Sequence, residues 1–324
     1  MYPEYKLLSR HKRGGLYEEE HFGVILEYSD NKIKKIAGDE KGYPFYHRSC
    51  MKPLQFAAVS EIIEAFNFTD KEIAVCTASH SGEDFHIQTI TNILNKIGLS
   101  EKFLLCPPLM PLDCNAKNLI IKQNKNPRAI HNNCSGKHAA MLAYCILKGF
   151  DTKNYNDINH PLQKHVLNFC AEICEKKLTD CPITKDGCTL PVIATPLENL
   201  AKGFLKIYTN QNYQKIAEAV LKNPYYAGGH GRLDSEIIAA SNGTLAAKVG
   251  AGNLCCVADV KNQKAFVIKL SDPDNFSRGL ILVSFLKEMN YFKNFAQSNL
   301  AKVFETKITD ETGFQVGNIE IFLK

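Results

Sequence analysis

The sequence predicts a fold that mixes helices and strands, either α+β or α/β, with strands from both chain ends meeting in one sheet. Strand-like segments lie near the two termini, and most of the chain between them carries apolar residues at helical spacing. The 324 residues are enough to bury a substantial core. The hydrophobic fraction of 45% and the charged fraction of 23% are those of an ordinary globular protein.

Strands are predicted where short apolar runs are bounded by turn residues. The predicted strand segments are 21–28, 32–39, 245–260, 264–271 and 316–323. The first two flank the turn "SDN" and predict a hairpin. The segment 72–83 predicts an apolar strand or a buried segment that ends in a loop of small residues, and 186–197 predicts a loop with a short extended piece.

Helices are predicted where apolar residues recur at the spacing of one buried helix face. The predicted helical segments are 49–66, 84–99, 134–150, 160–176, 233–241 and 277–289. Gly149 is expected to end the third of these helices, and Pro161 is expected in the first turn of the fourth. The proline-rich passage 106–133 predicts irregular chain.

Composition excludes several function classes. The net charge of +5 is mild and no basic run interleaves with aromatic residues, so nucleic-acid binding is not indicated. The N-terminal residues contain no apolar signal region, and no apolar run reaches the length of a membrane span, so no membrane partner is expected. Twelve cysteines in such a chain predict a reducing, cytoplasmic compartment, with most thiols buried as small hydrophobes.

The stretch "RSCMK" places Ser49 and Lys52 in an S-x-x-K arrangement at a predicted helix start. Residues three apart share one helix face, so the amine can approach the hydroxyl and, in a dry cationic pocket, act as its base. The alternative is a helix-capping serine beside a solvated lysine. Taken alone, the short motif favours that alternative.

Two further segments complete an order of motifs. "CTASHSGEDFH" puts Ser79 in a loop of small residues, and "LAAKVGAGN" puts Lys248 on an apolar strand. Each has an ordinary interpretation, as a plain turn and as an edge lysine. Together with S-x-x-K they follow the order found in penicillin-recognising serine hydrolases.

The stretch "NNCSGKH" makes Cys134 a candidate thiolate, because a helix start and a neighbouring lysine both lower a thiol pKa. A thiolate is either a nucleophile or a metal ligand, and Cys188, beside Asp186, is a natural second ligand. No C-x-x-C pair is present, so spacing alone favours a capped helix start over a metal site. Lys137 would be an unusual ligand, since it must first lose its proton.

The chain resembles the S-x-x-K bacterial asparaginases, the thermolabile or class 3 type. The blocks that carry the resemblance are "RSCMKPLQ", "CTASHSGEDFH", "NNCSGKHAAML", "HPLQ", "DGCTLP" and "KVGAG". It implies an α+β fold like that of the serine β-lactamases and penicillin-binding proteins, with an antiparallel sheet of N- and C-terminal strands packed against helices. One domain, 1–324, would have a sheet lobe of about 1–48 and 244–324 and a mainly helical lobe of about 49–243.

The resemblance also implies roles for matching residues. Catalysis would use two Ser–Lys pairs, Ser49 with Lys52 and Ser79 with Lys248. The implied substrate-binding residues are Arg48, His138, Asp186 and Arg232, and the implied zinc ligands are Cys134, Lys137 and Cys188. The implied reaction is hydrolysis of the side-chain amide of L-asparagine to aspartate and ammonia, in a cytoplasmic homodimer.

One position departs from the pattern of that family. The chain reads "GHGRLDSE" and has Asp234 where characterised members have cysteine, which weakens the zinc prediction, although Asp234 would also suit a helix N-cap. Two alternatives stay open. One is a glutaminase or another amide or peptide hydrolase on the same scaffold, and the other is a zinc-binding protein without catalytic activity.

Overall fold

The computed structural model describes residues 2–323, and in this range the chain has a mixed α+β fold. The strands are β1 (Lys6–Arg13), β2 (Leu16–Ser29), β3 (Lys32–Ala37), β4 (Phe45–Tyr46), β5 (Ile183–Lys185), β6 (Pro191–Thr195), β7 (Leu245–Gly250), β8 (Leu254–Asp259), β9 (Lys264–Leu270), β10 (Lys307–Thr309) and β11 (Gln315–Ile321). The helices are α1 (Lys52–Ala58), α2 (Ile62–Ala65), α3 (Asp70–Thr77), α4 (Asp84–Lys96), α5 (Cys114–Lys122), α6 (Ser135–Lys148), α7 (Pro161–Ile173), α8 (Leu197–Thr209), α9 (Gln214–Lys222), α10 (Leu233–Ala240), α11 (Asn275–Glu288) and α12 (Asn299–Val303).

Strands from both chain ends form one large antiparallel sheet, as the sequence predicts. Its order is β10-β11-β1-β2-β9-β8-β7, with β3 paired to β2. The 14-residue strand β2 pairs with β9 on one side. On its other side, the first part of β2 pairs with β1 and the last part pairs with β3. The hairpin of β2 and β3 turns at Asp30 and Asn31, both of which have positive φ. A smaller sheet has the order β4-β6-β5.

Two predicted helices end or begin at the residues that the sequence indicates. Helix α6 stops at Gly149, whose φ of +69° is the left-handed conformation of a helix C-cap. Helix α7 starts at Pro161, with the His160 ring accepting from the backbone N–H of Leu162. The segment predicted as one helix over 49–66 is broken into a 3-10 turn, Arg48–Met51, followed by α1 and α2.

Two segments differ from the prediction. The strand alternative for 72–83 is wrong, because α3 starts with a capping box in which Thr69 and Glu72 satisfy each other's backbone N–H groups. A short buried apolar run has no periodicity that separates strand from helix. The passage predicted as irregular contains α5, which starts where the Asp113 carboxylate accepts from the N–H of Ala116.

The large sheet and the helices meet at the 3-10 turn, Arg48–Met51. The end of β7 packs against this turn so closely that a side chain on Gly250 would lie 3.0 Å from the Cys50 sulfur. The Cys50 thiol in turn donates to the carbonyl of Lys248. The early S-x-x-K turn and the late strand β7 are therefore neighbours in space.

The division into a sheet lobe and a helical lobe stays a prediction, and so does the likeness to serine β-lactamases. Among residues 2–323, no helix is both long enough and apolar enough to cross a membrane.

Candidate active site

A cavity of about 430 Å³ opens where the 3-10 turn, the loop after α3, the start of α10 and the end of β7 meet. Both predicted serines, Ser49 and Ser79, line it. Its polar wall also includes Asn133, Arg232, Gly250 and Arg278. A cavity with two hydroxyls and two guanidinium groups suits a small, polar, anionic ligand.

Lys52 is the first residue of α1 and is completely buried. Its ammonium donates to the Ser79 hydroxyl at 3.0 Å, to the carbonyl of Ala78 at 2.6 Å and to the carbonyl of Asn133 at 2.9 Å. Among the described residues it has no hydrogen bond to Ser49. The lysine of the S-x-x-K motif thus contacts the other serine.

Burial lowers the pKa of Lys52 to about 8. The neighbouring sulfur of Cys134 opposes this shift, while the positive charges of Lys137 and Lys248 add to it. The three acceptors of the Lys52 ammonium are neutral oxygens, so no carboxylate holds its proton. Lys52 is therefore able to lose that proton close to neutral pH.

Lys248 has a different partner from the one the sequence predicts. Its ammonium donates to the Asp234 carboxylate at 2.9 Å, and the described residues include no hydrogen bond from it to Ser79. Burial alone would raise the pKa of Asp234, but Lys248 and Arg232 lower it below its ordinary value. The pair is a buried ion pair, with side-chain exposures of 2% and 0%.

Asp234 is not a helix N-cap. It lies inside the first turn of α10, whose N-cap is Arg232. Besides Lys248, its carboxylate accepts from the backbone N–H of Val249 at 3.3 Å. The acidic residue at this unusual position therefore fastens α10 to β7 beside the cavity.

The predicted zinc ligands lie together. Cys134 immediately precedes α6, Lys137 lies in the first turn of α6, and its ammonium lies 3.3 Å from the Cys188 sulfur. Hydrogen bonding with Cys134, followed by the charge of Lys137, lowers the pKa of Cys188 well below its ordinary range. That bond with Cys188 and burial raise the pKa of Cys134, so the pair carries one thiolate.

Of the predicted substrate-binding residues, Arg232 lines the cavity, whereas Arg48, His138 and Asp186 are not among its lining residues. Arg48, in the left-handed conformation with φ of +47°, donates from Nε to Asp186 at 2.7 Å. His138 is buried and its Nδ1 is paired with the Tyr155 hydroxyl at 2.7 Å. Burial lowers the pKa of His138 to about 3, so its ring is neutral.

Sequence reasoning missed two polar residues of the cavity. Asn133 lies within the quoted "NNCSGKH" stretch, and its backbone carbonyl, the group that accepts from Lys52, leaves no trace in the side-chain pattern. Arg278 lies on α11 and donates to the carbonyl of Gly250 at 3.2 Å. A single arginine within an apolar helix carries no sequence signal of its own.

The chemistry of the thiol cluster fits zinc. Two sulfurs and an amine, all buried, form a soft and borderline donor set of the kind that zinc accepts. The thiolate on Cys188 meets the need for a deprotonated ligand. The same thiolate raises the pKa of Lys137, so the amine becomes a ligand only by exchanging its proton for the metal.

Comparison with known proteins identifies one family. The family model described as L-asparaginase II matches residues 10–321, which is nearly the whole chain. A search of curated proteins finds no match.

Proposed function

The chain belongs to the L-asparaginase II family, and from this premise we propose that it hydrolyses the side-chain amide of L-asparagine to L-aspartate and ammonia. Membership of the family implies a hydrolase that acts on amides of small molecules. The proposal adds a mechanism in which Lys52 activates a serine. It also assigns the chain to the S-x-x-K, class 3 type with a serine β-lactamase-like fold, which the position of S-x-x-K at α1 and the pairing of β1 with β11 support.

The observation that carries the mechanism is the contact between Lys52 and Ser79. The lysine is completely buried, its pKa is lowered to about 8, and its nitrogen lies 3.0 Å from the serine oxygen. With this pKa, about a tenth of the molecules hold a neutral amine at pH 7. A neutral amine at hydrogen-bonding distance is a competent general base.

In the proposed reaction the Ser79 oxygen attacks the amide carbon while its proton passes to the Lys52 amine. The resulting tetrahedral species collapses as the carbon–nitrogen bond breaks, and Lys52 returns the proton to the leaving ammonia. Water then attacks the ester carbon while Lys52 accepts a proton from it, the bond between that carbon and the Ser79 oxygen breaks, and Lys52 returns the proton to Ser79 as aspartate leaves. Ser49, across the same cavity, supplies a second hydroxyl for binding the substrate.

Recognition of the substrate would depend on its α-carboxylate. Arg232 and Arg278 line the cavity, and the Nε atom of each is buried without a hydrogen-bond partner among the described residues. A buried donor without a partner favours a ligand that supplies an acceptor. The free carboxylate of an amino acid is such an acceptor, and it binds a guanidinium group strongly.

Zinc would be held by Cys134, Lys137 and Cys188, and as a Lewis acid it would help to hold the polar groups of the substrate. Neighbouring residues of the chain would then hold this zinc site in position relative to Lys52. Asn133 links the two centres, since its carbonyl accepts from Lys52 and its side-chain oxygen lies 3.3 Å from the Cys134 sulfur.

Ammonia release tests the proposal. In a coupled assay with asparagine, glutamine and small peptides, we expect asparagine to be the preferred substrate and Ser79→Ala to lower kcat by about 10³-fold or more. Ser49→Ala should raise KM more than it lowers kcat. Ser60→Ala removes a serine outside the cavity and serves as the matched control.

Three results would overturn the proposal or a part of it. Full activity of Ser79→Ala with loss in Ser49→Ala would make Ser49 the nucleophile. Activity on glutamine but not on asparagine would establish the glutaminase alternative, which differs by one methylene group worth about 1–3 kcal/mol. No ammonia release from any amide would favour the zinc-binding protein without catalysis. The homodimer and the cytoplasmic location stay predictions.

A further inference from the structure

A second cluster of ligand-type side chains lies on the large sheet, among residues that do not line the cavity. His11 on β1 is directly opposite Glu19 on β2, and His21 follows two residues later on the same face of β2. One nitrogen or oxygen atom from each of these three residues lies within 4.8 Å of the other two. The loop before α11 adds Asp272 and Asp274 to the cluster.

Each histidine ring has one nitrogen held and the other directed at a shared point. His21 donates from Nδ1 to Asp272 at 3.2 Å, while its Nε2 is buried without a hydrogen-bond partner in the described chain. His21 is only 7% exposed, so water does not readily replace that partner. His11 is held through Nε2 by the Ser277 hydroxyl at 3.2 Å, which leaves Nδ1 free to face Glu19.

The Glu19 carboxylate lies at the distance from each histidine that two ligands of one metal ion would have. Oε2 of Glu19 lies 3.3 Å from Nδ1 of His11 and 3.6 Å from Nε2 of His21. Oδ2 of Asp274 lies 3.7 Å from the same His21 nitrogen. Tetrahedral zinc with ligand distances of about 2.0–2.2 Å separates its ligand atoms by about 3.3–3.6 Å.

We propose that His11, Glu19 and His21 form a second metal site, one that binds a divalent transition metal of the zinc class, with Asp274 beside His21. Imidazole and carboxylate donors are the ligands that such an ion takes in the absence of thiols. Asp272 and Ser277 hold the two rings from outside, which is the usual arrangement around metal-binding histidines. The site is chemically distinct from the thiol cluster of Cys134 and Cys188.

The position of the site suggests what the ion does. It joins β1 to β2, and the outer partners Asp272 and Ser277 connect the two histidine rings to the start of α11, whose first residues, Asn275 and Phe276, line the cavity. A metal that binds the folded chain stabilises it in proportion to its concentration relative to Kd. The ion therefore holds one wall of the cavity in place from outside and takes no part in the chemistry.

The test uses the full chain, stripped with a chelator and titrated with zinc by calorimetry in the Cys134→Ser/Cys188→Ser background. We expect one equivalent of zinc to bind and the midpoint of thermal unfolding to rise. Glu19→Gln should weaken binding at least tenfold; its side chain is 60% exposed, so folding is not at risk. Glu20→Gln is the matched control, because Glu20 pairs with Arg10 instead.

A second pair of measurements guards against misfolding of the cysteine variant. With cobalt in the parent chain, Glu19→Gln should remove one equivalent while the thiolate-to-cobalt absorption of the other site remains. Asp272→Asn, which removes only the outer partner, should weaken zinc binding by about 10–100-fold. The proposal would be overturned if zinc did not bind to the cysteine variant and Glu19→Gln also lost no cobalt. It would be overturned as well if Glu19→Gln and Glu20→Gln bound zinc with equal affinity.

Discussion

Lys52 and Lys248 are two buried lysines beside one cavity, and they differ in the groups that accept hydrogen bonds from their ammonium groups. Lys248 faces the Asp234 carboxylate at 2.9 Å, whereas Lys52 faces only neutral oxygens. Burial without an anionic partner lowers the pKa of Lys52 to about 8. The comparison teaches that the partner, more than the burial, decides whether a lysine is poised to be a base or serves as a fixed cation.

A third buried lysine, Lys137, also shows the effect of an anionic partner on a lysine pKa. Lys137 faces the Cys188 sulfur at 3.3 Å, and although burial acts to lower the pKa of Lys137, the charge of the Cys188 thiolate raises it above its ordinary value. Two of the three ammonium groups are thus neutralised by an anion. Lys52 donates to neutral oxygens, has a lowered pKa and contacts a serine.

The largest expected effect comes from removing the two lysines one at a time. Lys52→Met should lower kcat/KM for asparagine by about 10³-fold, because the proposed general base is lost. Lys248→Met should cost much less, since its ammonium is engaged by Asp234. Steady-state ammonia assays compare the two variants. Equal losses would break the comparison and favour the second Ser–Lys pair, Ser79 with Lys248.

The next effect concerns stability. Asp234→Asn leaves the Lys248 ammonium buried without its counter-charge, so the free energy of unfolding should fall by about 3–5 kcal/mol. Urea denaturation followed by circular dichroism measures the loss. The double variant Asp234→Leu/Lys248→Met, which removes both charges, should recover most of it. A double variant as unstable as Asp234→Asn would show that the ion pair is not the cause.

Lys52 and Asp234 should affect the free energy of unfolding in different pH ranges. The pKa of Lys52 is lower in the folded chain, about 8 against an ordinary 10.5, so the unfolded chain binds more protons between these values. The free energy of unfolding of the parent should therefore rise by about 1–3 kcal/mol relative to Lys52→Met as pH increases from 8 to 10. Asp234, with its lowered pKa, contributes stability that is lost only as pH falls below about 3.8.

The smallest expected effect is on the pH profile of activity. In the proposed mechanism the neutral amine of Lys52 is the base, so kcat/KM should rise about tenfold from pH 7 to pH 9 and level off with an apparent pKa near 8. Asp186→Asn, which removes the partner of Arg48, should leave this apparent pKa unchanged and serves as the control. A flat profile in the parent would mean that Lys52 does not titrate in the reaction.

Local chemistry made much of the fold predictable. The hairpin of β2 and β3, the end of α6 at Gly149 and the start of α7 at Pro161 depend on residues within a few positions of each feature. The strand alternative for 72–83 failed because a short buried apolar run shows no periodicity that separates strand from helix. Helices α8 and α9 lie outside the predicted helical segments, although they pack on the sheet and on each other.

The candidate site was predictable as a set of residues and unpredictable as a set of contacts. The order of the motifs indicated Ser49, Lys52, Ser79 and Lys248 as candidate residues, and all four lie at or beside one cavity. Which lysine meets which serine depends on backbone segments that are far apart in the chain. A lysine side chain with four rotatable bonds reaches several neighbours, so spacing in the sequence does not choose among them.

The sequence by itself determined the residue types at the site, the elements that carry most of them and the likeness to a family of amidohydrolases. Only the tertiary structure decided that Lys52 contacts Ser79, that Asp234 engages Lys248 and that His11 and His21 meet Glu19 on the sheet. The physical reason is that motifs and caps act over a few residues, whereas a pKa or a metal site depends on groups that packing brings together across the whole chain.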